Sequence, residues 1–210
     1  MMNKTITVLL ATAIGSLALA QSSMPGMKTP TPGHDMTTMT VPLTPGMMGM
    51  DMKNMASAMN SLAKLIGRSF DRAYLSMMIP HHTAAVAMSK AVLPVSKDDQ
   101  VKGWASDIIK SQQEEITTMN TLLKPYGGPN TALMALMQKS MGGIAGVVKM
   151  SRDPDLAFVQ GMLPHHSSAI DMAKLALGKS TDAQVLKLSR DIVVAQAGEM
   201  YDFQTWLSRR

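Results

Sequence analysis

The chain has 210 residues, a net charge of +5, 23 methionines and no cysteine. That length accommodates one ordinary domain with extensions, or two small ones. Without cysteine there are no disulfides or thiolate metal sites, so a soft ligand here has to be a thioether. Its lysines and arginines are scattered and form no basic run interleaved with aromatics, which argues against nucleic acid as a partner.

Residues 1–20 read as a secretory signal. Lys4 supplies the positive start, Ile6 to Leu19 are almost all apolar, and Ala18 and Ala20 precede a cut at Gln21. The apolar stretch falls short of the roughly 20 residues a spanning helix needs, so no integral membrane span is expected after signal removal. The expected location is periplasmic or extracellular.

Residues 21–60 form a tail rich in Met, Pro, Gly, Thr and Ser, with Met24, Met27, Met36, Met39, Met47, Met48, Met50, Met52, Met55 and Met59 in close succession. Pro25, Pro30, Pro32, Pro42 and Pro45 forbid a continuous helix before residue 46. Few branched or aromatic residues remain to bury, so this tail is expected to be disordered.

Residues 61–210 contain an internal repeat: 70–123 align with 154–207 at one constant offset and without a gap. Asp71, Met78, Pro80, His81, His82, Ala85 and Met88 match Asp155, Met162, Pro164, His165, His166, Ala169 and Met172. Further on, Ser96, Asp98, Gln112 and Glu115 match Ser180, Asp182, Gln196 and Glu199. Each repeat reads as a helical hairpin. Its first helix is expected from about Ser69 to Val92, and in the copy from about Asp155 to Leu177 with Gly178 as the stop. Ser96 and Ser180 are the expected N-caps of the second helices. The connection over 126–153 is expected to hold short helices around Gly142-Gly143. Four long helices with one longer connection give an all-α class, a four-helix bundle of two helical-hairpin repeats.

Four of the five histidines sit in the two Pro-His-His triplets. At 100° per residue, His81 falls about 60° from Met78 and Met88 about 80° from it, on one stripe with Asp71 and Tyr74. The copy of that stripe carries Asp155, Phe158, Met162, His165 and Met172. On the second helix Gln112, Glu115 and Met119 share a face, and their copies are Gln196, Glu199 and Phe203. The expected metal ligands are therefore His81, His82, His165, His166, Met78, Met88, Met162 and Met172, with Gln112, Gln196, Glu115, Glu199 and Met119 facing them. His82 and His166 lie about 100° round from their neighbours, so a bend at Pro80 and Pro164 is needed to aim both rings of a pair at one ion. Alternatively the prolines start new helices, whose first turns disfavour a cation.

Thioethers favour Cu(I) among the ions imidazole accepts, so a copper ion is the expected cargo. No HExxH sequence marks a zinc hydrolase. Glu115 and Glu199 are followed three residues on by Thr118 and Asp202, so the Glu-x-x-His signature of a di-iron bundle fails. Core packing by methionine, and for the tail a reversible oxidant sink, are the bland counterparts of these assignments.

Phe70-Asp71 … Met78-Ile79-Pro80-His81-His82 … Val86-Ala87-Met88 and Ile109 … Gln112 … Glu115-Ile116 … Met119 together resemble the ferritin-like domain-of-unknown-function family 305. The second copy, with Met162-Leu163-Pro164-His165-His166, Gln196, Glu199 and Trp206, resembles it equally. The resemblance covers essentially all of residues 70–207. It implies a ferritin-like bundle in exported bacterial proteins, some of them associated with periplasmic copper binding and tolerance, with the motif histidines and methionines as ligands. Phe203 in place of Met119 implies that the two sites differ. The reading that follows is an exported, non-enzymatic copper-binding protein for sequestration, tolerance or chaperoning, with the metal ion and another copper-handling protein as candidate partners. A metal-dependent oxidase using Glu115 and Glu199, and a metal-free bundle that presents the tail, stay open beside it.

Overall fold

The computed structural model describes residues 49–210; the expected signal and most of the expected tail lie outside the described residues. Among the described residues there are no strands. The helices are α1 (Met52–Ala63), α2 (Gly67–Val92), α3 (Asp99–Leu123), α4 (Thr131–Met141), α5 (Ile144–Met150), α6 (Pro154–Lys179) and α7 (Ala183–Leu207), with a 3₁₀ turn over Lys124–Tyr126 after α3.

The tail does not stay irregular to residue 60, as the composition suggested. Asp51 caps α1 by accepting from the Asn54 amide at 3.0 Å, and Met55, Ala58 and Leu62 are buried. These three recur at helical spacing, and Met, Ala and Leu are strong helix formers. None of the three is β-branched or aromatic. α1 packs on α4, and α4 and α5 cover α2, so the two short helices of the connection add a layer to one side of the bundle. Gly49 and Gly143 meet there: a Cβ on Gly143 would stand 2.9 Å from the Gly49 carbonyl oxygen.

The long helices carry the repeat. α2 and α3 form one hairpin, α6 and α7 the other, and α2 packs against α6. Their direction follows from the ends. Lys179, the last residue of α6, reaches the carbonyls of Ala63 and Leu65 just before α2. Lys97, just after α2, donates its amide to Asp155 at the start of α6 at 3.3 Å. The two central helices are therefore antiparallel, which makes the repeats equivalent about an axis between them.

Asp98 and Asp182 cap α3 and α7, where Ser96 and Ser180 were expected. The Asp98 carboxylate accepts from the amides of Gln100 and Val101, and that of Asp182 from Gln184 and Val185. A carboxylate at the cap also meets the positive end of the helix dipole. The serine hydroxyls accept from the amides of these aspartates at 3.2 and 3.1 Å, holding the approach to the cap. Each cap also holds a residue from another part of the fold: Trp206 of the second repeat, and Tyr126 of the turn after α3. Trp206 Nε1 donates to Asp98 at 2.8 Å, and the Tyr126 hydroxyl donates to Asp182 at 2.9 Å.

α6 runs on through Gly178 to Lys179, so that glycine is not the stop. The left-handed residues that end the first hairpin are Gly127 (φ 80°) and Gly128 (φ 83°), a conformation costly for any residue with a Cβ.

Candidate metal centre

Pro80 and Pro164 lie inside α2 and α6 and start no new helix. Each lacks the amide that would bond the carbonyl four residues back, which loosens the helix one residue before the histidine pair. All four histidines of the pairs are completely buried. So are Met78, Met88, Met119, Met162 and Met172, and they belong to one continuous core. Gln112 and Gln196 are each 2% exposed.

The structure sorts the pairs by position in the triplet. The first histidines meet across the α2–α6 contact, with His81 and His165 ring centres 3.9 Å apart and planes at 41°. His165 Nε2 donates to the His81 carbonyl at 2.8 Å. His81 Nε2 lies 2.8 Å from Ser168 Oγ, and the Ser168 hydroxyl donates to the His165 carbonyl at 2.8 Å. The second histidines turn outward to the carboxylates of their own hairpins. His82 Nε2 is 2.7 Å from Glu115 Oε2 in a hydrogen bond. His166 Nε2 is 2.5 Å from Glu199 Oε2, but at an angle that makes no hydrogen bond, so both atoms lack a partner. Within a pair the ring centres stand 6.1 Å apart in the first repeat and 5.8 Å in the second.

Burial governs the protons. It holds the His81 and His165 imidazoles well below the ordinary histidine range, and the neighbouring histidines push the same way. His166 is driven down to about 3 by burial and then by His82. Burial, reinforced by Glu115 and Asp107, pushes Glu199 up to about 7. These three imidazoles are thus neutral at physiological pH, the form that can donate a lone pair to a metal.

The ring Nδ1 atoms of His81, His82, His165 and His166 are buried without a hydrogen-bond partner, as are both amide atoms of Gln112 and of Gln196. Buried polar groups are nearly always satisfied, so this many orphans in one interior fit a site built for a ligand. The donor set of neutral imidazole and thioether suits a soft or borderline cation. Among the described residues, however, no three His, Asp or Glu side chains already converge on one point. Glu115 and Glu199 keep 20% and 24% of their side chains exposed. Glu115 also lines an open groove of about 610 Å³ between α3 and α7, shared with Glu114, Asp191 and Leu188. One carboxylate thus connects a buried imidazole with solvent.

Two residues outside the expected ligand set take part in this geometry. Ser168 lies two residues after the triplet, next to Ser167, and its counterpart Ala84 breaks the repeat there. Phe203 stacks on His166 with centres 5.7 Å apart, where the repeat would place a methionine.

The fold and site define a class: an all-helical, duplicated bundle with a histidine- and methionine-lined interior. The chain belongs to the family described as a domain of unknown function, DUF305, which matches residues 21–123 and 155–210. It is similar to CopM in its Cu(II)-bound form, at 27% identity and a TM-score of 0.61 over 66% of this chain and 96% of that one. Similarity to CopM in a silver-bound form obtained by soaking is 25% identity with a TM-score of 0.58, over 66% and 95%. A DUF305 fragment from Deinococcus radiodurans shares the fold at 24% identity and a TM-score of 0.58, over 67% of this chain and 96% of the fragment. An uncharacterized protein of Acanthamoeba polyphaga mimivirus is 51% identical over 53 residues, which is 25% of this chain and 35% of that protein.

Proposed function

We propose that this protein is an exported copper-binding protein that sequesters or carries Cu(I) and Cu(II), and that it acts by binding rather than by catalysis. The observation that carries the reading is the set of four buried histidines with unpartnered Nδ1 atoms, on helices that also bury Met78, Met88, Met162 and Met172. CopM, similar in fold and sequence, has been seen with Cu(II) and with silver, and silver is a soft monovalent stand-in for Cu(I). In this reading His81, His82, His165 and His166 hold the ion with thioethers from Met78, Met88, Met162, Met172 and Met119. Glu115, Glu199, Gln112 and Gln196 complete or support the set, and the methionine-rich N-terminal segment collects ions. Among the described residues no helix is long and apolar enough to cross a membrane. Another copper-handling protein is the natural donor or acceptor.

The test is the metal content of protein purified from its own export compartment, together with oxygen consumption in the presence of a reductant. Copper without turnover supports the reading. Iron or manganese with oxygen consumption would replace it with a metal-dependent oxidase that uses Glu115 and Glu199.

A further inference from the structure

His81, His165 and Ser168 are joined by three hydrogen bonds in a closed circuit across the α2–α6 contact. A carbonyl oxygen can only accept, so the proton between His165 and the His81 backbone sits on His165 Nε2. The Ser168 hydroxyl has two neighbours at 2.8 Å, the His165 carbonyl and His81 Nε2; with its one proton on the carbonyl it is an acceptor toward His81, and the Nε2 proton then belongs to His81. A neutral imidazole has a single N–H, which leaves Nδ1 of both rings bare. Those two Nδ1 atoms are buried and have no partner.

We propose that Ser168 is a positioning residue that fixes the tautomer of His81, so that the central histidine pair presents Nδ1, and not Nε2, to a soft cation. The final step, ligation, rests on the copper-binding reading; the tautomers stand without it. The device is asymmetric. His165 has the His81 main chain as its acceptor, which no side-chain change removes. His81 Nε2 has the Ser168 hydroxyl as its partner, and the counterpart of that serine in the first repeat is Ala84. Outer-sphere partners of this kind set which nitrogen of a histidine is free and how basic it is.

The experiment is histidine-ring ¹³C and ¹⁵N NMR on the mature protein, wild type, S168A and S168T, first without metal and then with Ag(I). In the metal-free wild type both His81 and His165 show the Nε2–H tautomer; Nδ1–H on either ring would overturn the proposal. In S168A the His81 signals lose the pure Nε2–H signature while those of His165 keep it, and S168T, which retains the hydroxyl, restores His81. His81 signals unchanged in S168A would overturn the role of Ser168. His165 reports whether the variant still folds. On addition of Ag(I), the Nδ1 resonances move, and S168A weakens binding by about 10- to 100-fold. Movement of Nε2 instead overturns Nδ1 ligation. Absence of any Ag(I) effect on the rings removes both Nδ1 ligation and the metal reading, whereas the metal-free spectra judge the tautomers separately.

Discussion

The two repeats have the same Pro-His-His triplet and the same glutamine and glutamate on the facing helix, yet surround them differently. In the first, His82 makes a hydrogen bond to Glu115 and the chain places Met119 in the core. In the second, His166 lies against Phe203 and within 2.5 Å of Glu199 without a hydrogen bond. Ser168 serves His81, while Ala84 offers nothing to His165. A duplicated sequence therefore yields a symmetric scaffold whose chemistry is not symmetric. The triplets set where imidazoles stand, and the unmatched residues set what each one touches.

The strongest way to break the second repeat's version is Phe203→Ala. It removes a fully buried ring that packs against Phe158, Trp104 and His166, and should cost about 3–5 kcal/mol in a denaturant titration. Phe203→Met, which copies repeat one, should cost about 1.5 kcal/mol or less. Equal losses for the two variants would show that the site tolerates no thioether there.

The caps offer a second comparison. Asp98→Ala and Asp182→Ala each remove a helix cap and a long-range hydrogen bond, from Trp206 of the second repeat in one case and from Tyr126 after α3 in the other. Each should lower stability by about 2 kcal/mol. Ser96→Ala and Ser180→Ala should cost less than the aspartates; the reverse order would restore serine as the cap.

The third prediction concerns pH in the metal-free protein. Glu199 is raised from its ordinary 4.5 to about 7, so the folded state binds the extra proton in that window and this residue's contribution falls as pH rises through it. His166 is lowered from 6.5 to about 3, so its contribution is complete above 6.5 and is lost as pH falls toward 3; His81 and His165 act in the same direction. Three histidines outweigh one carboxylate, and stability should decline on acidification below about 6.5. Glu199→Gln removes the one opposing contribution. It should raise Tm at pH 8 by about 2–4 °C and steepen the loss below pH 6.5. A Tm–pH curve parallel to wild type would refute the assignment of Glu199. The smallest expected effect is that of Ala84→Ser, which copies repeat two into repeat one and should change stability by about 0.5 kcal/mol or less.

Much of this was legible in the sequence because it is repeated. Two gapless copies establish the hairpins, and apolar spacing places α2, α3, α6 and α7 within a few residues of their ends. The motif histidines were visible because histidine is rare here and recurs in the same context. What was missed lacks one of those signals. α1 hides in a methionine-rich composition, and its burial depends on α4, far along the chain. Asp98 outcompetes Ser96 through a two-residue difference in register that only backbone geometry decides. Ser168 has no counterpart in the first repeat, so alignment of the copies points away from it. The separate destinations of His81 and His82 were half visible: their angular separation on the helix was clear, but not that Glu115 would claim one and His165 the other.

The central claim, copper held by the buried histidines, is tested most directly by Cu(I) titration against a competing chelator on a chain lacking residues 21–48. The comparison is with the same chain carrying His81, His82, His165 and His166 replaced together by alanine, its helix content checked by circular dichroism. The account predicts that the first binds Cu(I) tightly and that the folded variant loses that binding. Unchanged stoichiometry and affinity in the folded variant would contradict it.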